Sequence, residues 1–194
     1  MCGIAGILFK GDHRNLTAGQ ALINMLDGCQ HRGPDSTGFA LYREPQEGEL
    51  RLRFIVGDGV EAQKAIADIR EKFAEWGADV IDEETSGITR SYTVKFDGDV
   101  QQFSYAMEHA AKLVSIGESL DIIKDIGSAH DVDDIYAVNG FNGTHGLGHV
   151  RLATESDVKP EAAHPFWATG FADVAIVHNG QITNYWKMRR RLEK

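Results

Sequence analysis

At 194 residues the chain is about one domain long and can bury a sizeable core. A formal net charge of -9 without any basic stripe argues against nucleic-acid binding, where neutralising phosphates supplies most of the affinity. The two cysteines, Cys2 and Cys29, match no zinc or redox spacing, and no apolar run is long enough to span a bilayer, so the reading is a cytoplasmic protein with reduced thiols and no membrane segment.

Ile4 to Phe9 is a short apolar run consistent with a buried strand. Lys10, Asp12 and Arg14 break it too early for a signal peptide. Thr17 can cap a helix that runs to about Gly28, with Ala21, Leu22, Met25 and Leu26 at helical spacing. His31 to Ser36 is a turn-rich loop, and Phe39 to Tyr42 returns as a strand. After that Leu52, Phe54 and Val56 alternate as in a strand. Val60 to Trp76 places Ala62, Ala65, Ile66, Ile69 and Phe73 on one helical face and ends at Gly77, a natural C-cap. Ile88 to Phe96 reads as a strand and Val100 to Val114 as a second helix. This β-α-β-α pattern predicts a small α+β insertion over residues 44–142, of ferredoxin-like type, with no constellation suited to chemistry. Gly146 to Leu152 is a strand leading into a loop, and the apolar run Val174 to Val177 is a buried strand. His178-Asn179-Gly180 makes a tight turn. Ile182 to Leu192 is a helix whose Lys187, Arg189, Arg190 and Arg191 suit its negative end.

The chemistry starts at the second residue. Loss of Met1 would leave Cys2 with a thiol and an α-amine on the same residue. The thiol supplies a nucleophile and the amine a base of similar pKa. Four motifs accompany it in order: Met1-Cys2-Gly3-Ile4-Ala5-Gly6, His31-Arg32-Gly33-Pro34-Asp35-Ser36, Gly148-His149-Val150-Arg151-Leu152-Ala153-Thr154, and His178-Asn179-Gly180-Gln181-Ile182-Thr183-Asn184-Tyr185. Together they resemble the class II glutamine amidotransferases, a branch of the N-terminal nucleophile (Ntn) hydrolases. The likeness covers residues 1–42 and 146–194. The long insertion is similar to the GlxB-like branch, related to the amidotransferase part of glutamate synthases.

The resemblance implies an α+β fold, the αββα sandwich of Ntn hydrolases, in a discontinuous domain of residues 1–43 and 143–194. It implies that Cys2 attacks the side-chain amide of L-glutamine and forms a γ-glutamyl thioester. The oxyanion would be held by the Asn179 amide and the Gly180 backbone N–H. Arg151, with Leu152 and Thr154 beside it, would bind the substrate, the guanidinium gripping its α-carboxylate with two hydrogen bonds. Arg32 and Gly33 would position the N-terminus, the Gly33 carbonyl meeting the α-amine. His164 would support the pocket, and His149 would be structural. No cofactor and no metal is expected. The ammonia would pass to a synthase subunit or domain, resembling glutamate synthase or N-methylglutamate synthase, and a homo-oligomer is compatible with the reading. The chain stops at Lys194, one helix past the Asn-Gly motif. The sandwich is therefore expected to be incomplete, without the acid that in the family holds the substrate's α-amine. Two other readings stay open: an Ntn amidase acting on another amino-acid amide, and a non-catalytic module that binds glutamine or glutamate.

Overall fold

A computed structural model describes residues 1–11, 15–153 and 157–193. In chain order its elements are β1 (Gly3–Leu8), α1 (Ala18–Asp27), β2 (Ser36–Tyr42), β3 (Glu49–Ile55), α2 (Gly59–Trp76), β4 (Asp79–Ser86), β5 (Thr89–Lys95), α3 (Val100–Ala110), β6 (Lys112–Gly117), β7 (Leu120–Ile126), α4 (Ala129–Tyr136), β8 (His145–Arg151), β9 (Phe166–Trp167), β10 (Ala175–Ile176) and α5 (Tyr185–Leu192). The class is α+β, with antiparallel sheets.

The first sheet has the order β1-β8-β2-β7. One face carries Ala5, Phe39, Leu41, Ile123 and Val150 against Leu22, Ile23 and Leu26 of α1 and Val132 and Tyr136 of α4. Helix α1 begins where the sequence places it. The Thr17 hydroxyl accepts from Gln20 N at 3.0 Å, satisfying one of the orphan amides of the first turn. The apolar run in β1 is buried on one face only: Gly3 and Ala5 are covered, whereas Ile4 is 43% and Leu8 64% exposed. Side chains of a strand alternate between faces, and only one face of β1 meets α1.

The second sheet has the order β4-β5-β3-β6, all antiparallel, in the succession β3-α2-β4-β5-α3-β6. Helix α2 ends at Gly77, whose φ of 68° is the left-handed conformation that glycine adopts without a Cβ clash. Three features depart from the sequence reading. The second helix stops at Ala110, and Leu113 and Val114, expected to prolong it, lie in β6. The acidic segment Asp79–Ser86 is a strand. The expected insertion also runs too far: β7 pairs with β2 over Ser36–Tyr42, so Leu120–Ile126 belongs to the first sheet, as does α4 packed upon it. Charges at Asp121, Lys124 and Asp125 hide that strand from an alternation test.

The second face of the first sheet meets the second sheet. Ala40, Tyr42, Leu120 and Ile122 share one core with Leu52, Phe54, Phe73, Tyr92, Phe103 and Ile116. Asp121, between Leu120 and Ile122 on β7, points to the opposite face of the strand, where it ties β7 to β3. It accepts from Arg53 through both carboxylate oxygens, at 2.7 and 2.8 Å, and from Arg51 at 3.0 Å. Burial pushes its carboxyl up, but Arg53, Arg51 and Arg43 more than offset this and hold it well below the usual carboxylate range.

The final stretch differs most from expectation. Val174 to Val177 contributes only the two-residue β10, paired with β9, and Val174 and Ile176 are 41% and 57% exposed. Trp167 of β9 is buried in the core shared by the two sheets, and Ala175 of β10 packs against it. Helix α5 starts at Tyr185, three residues later than predicted. Among the described residues no helix is long and apolar enough to cross a membrane.

Candidate active site

Cys2 immediately precedes β1. The pairing of Gly3 with Val150 sets it beside the end of β8, and its Sγ lies 3.8 Å from the Leu152 carbonyl oxygen. The loop after α1 reaches the same strand end. A Cβ on Gly33 would lie 2.4 Å from the Val150 carbonyl carbon, so the close approach of these two backbones requires glycine. Asp35 fastens the loop twice, its N–H donating to the Arg151 carbonyl at 3.0 Å and its carboxylate accepting from Ala153 N at 2.7 Å. The Gly33 carbonyl accepts from Gln30 Nε2 at 2.9 Å, and Gln30 Oε1 accepts from Ala129 N at 2.9 Å. Gln30 therefore joins this loop to the start of α4, a role that no local pattern around it signals. Arg32 reaches the N-terminus, its Nη2 3.9 Å from the Met1 sulfur.

Arg151 ends β8 and is 6% exposed, with Nη1 donating to the Asp157 carbonyl at 3.3 Å. Thr154, expected beside it as a hydroxyl contact, lies outside the described residues. From the far end of the chain Asn179 reaches across, and its Nδ2 donates to the Cys2 carbonyl at 2.8 Å. Asn179 and Gly180 are exposed, and the His178 ring folds over Gly180, where a Cβ would sit 2.6 Å from His178 Nε2.

Behind this group stands a pair of imidazoles. His149 is fully buried, and its Nε2 lies 3.1 Å from the His178 carbonyl. A carbonyl only accepts, so Nε2 carries the proton. Burial pushes His149 down to about 4, against a smaller opposing effect of the His178 carbonyl. His164 stacks on it with ring centroids 4.5 Å apart, and burial, reinforced by His149, pushes His164 down to about 3. Both rings are therefore neutral at neutral pH, and neither Nδ1 has a partner among the described residues. Such a pair packs and orients more readily than it transfers protons.

The structure thus gathers Cys2, Leu152, Arg151, Gly33, Arg32 and Asn179 around one end of the first sheet, with Gly180 adjacent and His164 one layer behind. A half-buried thiol on a residue held by a side-chain amide donor, at the same strand end as a buried arginine, suits attack on a carbonyl compound that carries a carboxylate. Among the described residues no three His, Cys, Asp or Glu side chains converge as a metal site.

No family model matches the chain. Along its whole length it is 34% identical over 206 residues to a protein of Methanothermobacter thermautotrophicus whose name assigns it to the glutamine amidotransferases, covering 66% of that relative. It is also 34% identical over 194 residues, 99% of the chain, to the glutamine amidotransferase-like protein GlxB of Rhizobium meliloti, covering 62% of it. A stretch of 96 residues, 48% of the chain, is 30% identical to the isomerizing glutamine–fructose-6-phosphate aminotransferase of Acidithiobacillus ferridurans, of which it covers 15%. The chain spans a little under two thirds of the length of the first two relatives.

Proposed function

We propose that this chain, which belongs to the class II glutamine amidotransferases, hydrolyses L-glutamine to glutamate and ammonia with Cys2 as nucleophile. Removal of Met1 turns the Cys2 amide nitrogen into an amine. The amine takes the thiol proton, and Sγ bonds to the amide carbon of glutamine. The C–N bond then breaks, ammonia leaves with a proton returned by the amine, and a γ-glutamyl thioester remains until water cleaves it. The Asn179 amide has two hydrogens. One holds the Cys2 carbonyl, and the other is available for the oxyanion together with the Gly180 N–H. Arg151, buried at the strand end next to Leu152, takes the α-carboxylate, with Thr154, two residues on from Leu152 in sequence, adding its hydroxyl. Arg32, Gly33 and His164 support the N-terminus and the pocket wall.

The observation that carries this reading is the convergence of Cys2, Arg151 and Asn179 from three distant parts of the chain. The ammonia passes to a synthase partner of the glutamate synthase or N-methylglutamate synthase type. The first sheet with α1 and α4 forms half of an αββα sandwich, into which residues 49–117 are inserted as a ferredoxin-like unit. Its β-α-β-β-α-β order and β4-β5-β3-β6 sheet support that description.

The test is covalent labelling. The processed protein, incubated with the diazo-ketone analogue of glutamine, should gain one adduct on the peptide that begins at Cys2. An unlabelled Cys2 in a protein that has lost Met1 would overturn the assignment.

A further inference from the structure

Lys124 lies on β7 with its side chain on the face of the first sheet that α1 and α4 leave open, 6% exposed. Its ammonium donates to three backbone carbonyls: Ala163 at 2.8 Å, Pro165 at 3.2 Å and Glu161 at 3.3 Å. Three donors thus meet three acceptors. Two of these carbonyls flank His164, so the lysine grips the chain on either side of that residue. The Phe166 ring closes the arrangement, with Nζ 4.6 Å from its centroid and its edge against His164 at 4.5 Å. On β2, Gly38 makes room for the same turn. A Cβ there would lie 2.1 Å from the His164 carbonyl oxygen.

From His164 the contacts run in one direction. Its ring stacks on His149, and His149 holds the carbonyl of His178, the residue before Asn179. Asn179 in turn holds the Cys2 carbonyl. A buried cation is costly, and burial pushes Lys124 down to about 7, with Lys112 adding to the effect and Glu161 opposing it. An apolar side chain would fill the position at lower cost, but it could not fix three carbonyls at once.

We propose that Lys124 is a positioning residue for glutamine hydrolysis: by clamping the carbonyls around His164 it seats the His164–His149 stack, and through the His178 carbonyl it fixes Asn179 at the oxyanion. This rests on the function proposed above. It leads to an effect on the chemical step, because the chain of contacts ends on Asn179, the proposed oxyanion donor. A small displacement of an oxyanion donor is enough to slow the reaction about ten- to a hundredfold.

The experiment is a double-mutant cycle in the processed full chain, with Lys124→Met, His164→Ala and the pair, reading kcat and KM for glutamine and the rate of Cys2 labelling by the diazo-ketone analogue. Each single change should lower kcat and the labelling rate about tenfold or more with KM changed less than about twofold, and the double variant should lose no more than the worse single. Exposed Lys112→Met serves as the control and should match the parent. Labelling at the parent rate in Lys124→Met overturns the proposal, as do additive losses in the pair or a loss confined to KM. Failure of the parent itself to label would instead overturn the function on which it rests. If Lys124→Met does not fold, Gly38→Ala disturbs the same turn from the sheet side, and parental kcat in that variant is the overturning result.

Discussion

At the scale of single residues, the proposed reaction depends on atoms that come together only in the folded chain. Cys2→Ala should abolish both ammonia release and covalent labelling while moving the melting temperature by no more than a few degrees, since the side chain is half-buried and small. A similar residual rate in that variant would place the nucleophile elsewhere. The two stacked histidines give a pH dependence with a definite sign. Their folded values, about 4 for His149 and about 3 for His164, lie below the ordinary value of 6.5. Between those limits the unfolded chain binds more protons than the folded one. The stability they contribute is complete above pH 6.5 and is lost as pH falls through about 4. Thermal melts taken between about pH 7 and pH 5 should fall with acidification, and His164→Phe, which keeps a ring on His149, should flatten the slope. An unchanged slope in that variant would mean that other groups set it. The residues of the candidate site are legible in sequence as far as Cys2, Arg151, Asn179 and Gly180 sit in short motifs. Gln30 and Lys124 are not, because each acts on a backbone group about 40 to 100 residues away, Ala129 for Gln30 and Ala163 for Lys124.

At the scale of elements, legibility follows the physics of burial. Helices α1 and α2 each show an apolar face and a recognisable cap, so their limits are readable to within a residue or two. Strand β4 pairs with β5 alone at the edge of its sheet. Its Asp82, Glu83 and Glu84 stand in place of an apolar alternation, as suits an edge that must not recruit other strands. Strand β7 fails the alternation test for the opposite reason, since its charged residues are buried and paired. Two substitutions test how elements are fixed around the site. Thr17→Ala removes the α1 cap and should cost about 1 kcal/mol in chemical denaturation, with activity retained. Gly33→Ala forces a methyl group into the β8 backbone. It should cost about 1–3 kcal/mol and lower activity as well, because Cys2 is registered on the same strand. Full activity in Gly33→Ala would show that the loop can withdraw without disturbing Cys2.

At the scale of the whole molecule, the two sheets are joined by a common apolar core and by one buried carboxylate. Asp121→Ala would leave Arg51 and Arg53 buried without their shared partner and should cost about 3–5 kcal/mol, measured by denaturant unfolding. A loss under about 1 kcal/mol would mean that Glu84, which already accepts from Arg51 at 2.6 Å, takes over.

The pairing of Tyr42 with Leu120 has a consequence for engineering. The chain leaves the first sheet and returns to it at directly opposed positions, a spacing that a two-residue hairpin could bridge. The unit between them is therefore a cassette that could be cut out without disturbing the strands around Cys2. Its removal would nevertheless strip the cover from Ala40, Tyr42, Leu120 and Ile122 on one face and, on the other, take Arg51 and Arg53 away from Asp121. A shortened chain of this kind would be expected to aggregate unless those five positions were rewritten together, so the unit is geometrically detachable but has become part of the solvent barrier on which the first sheet depends.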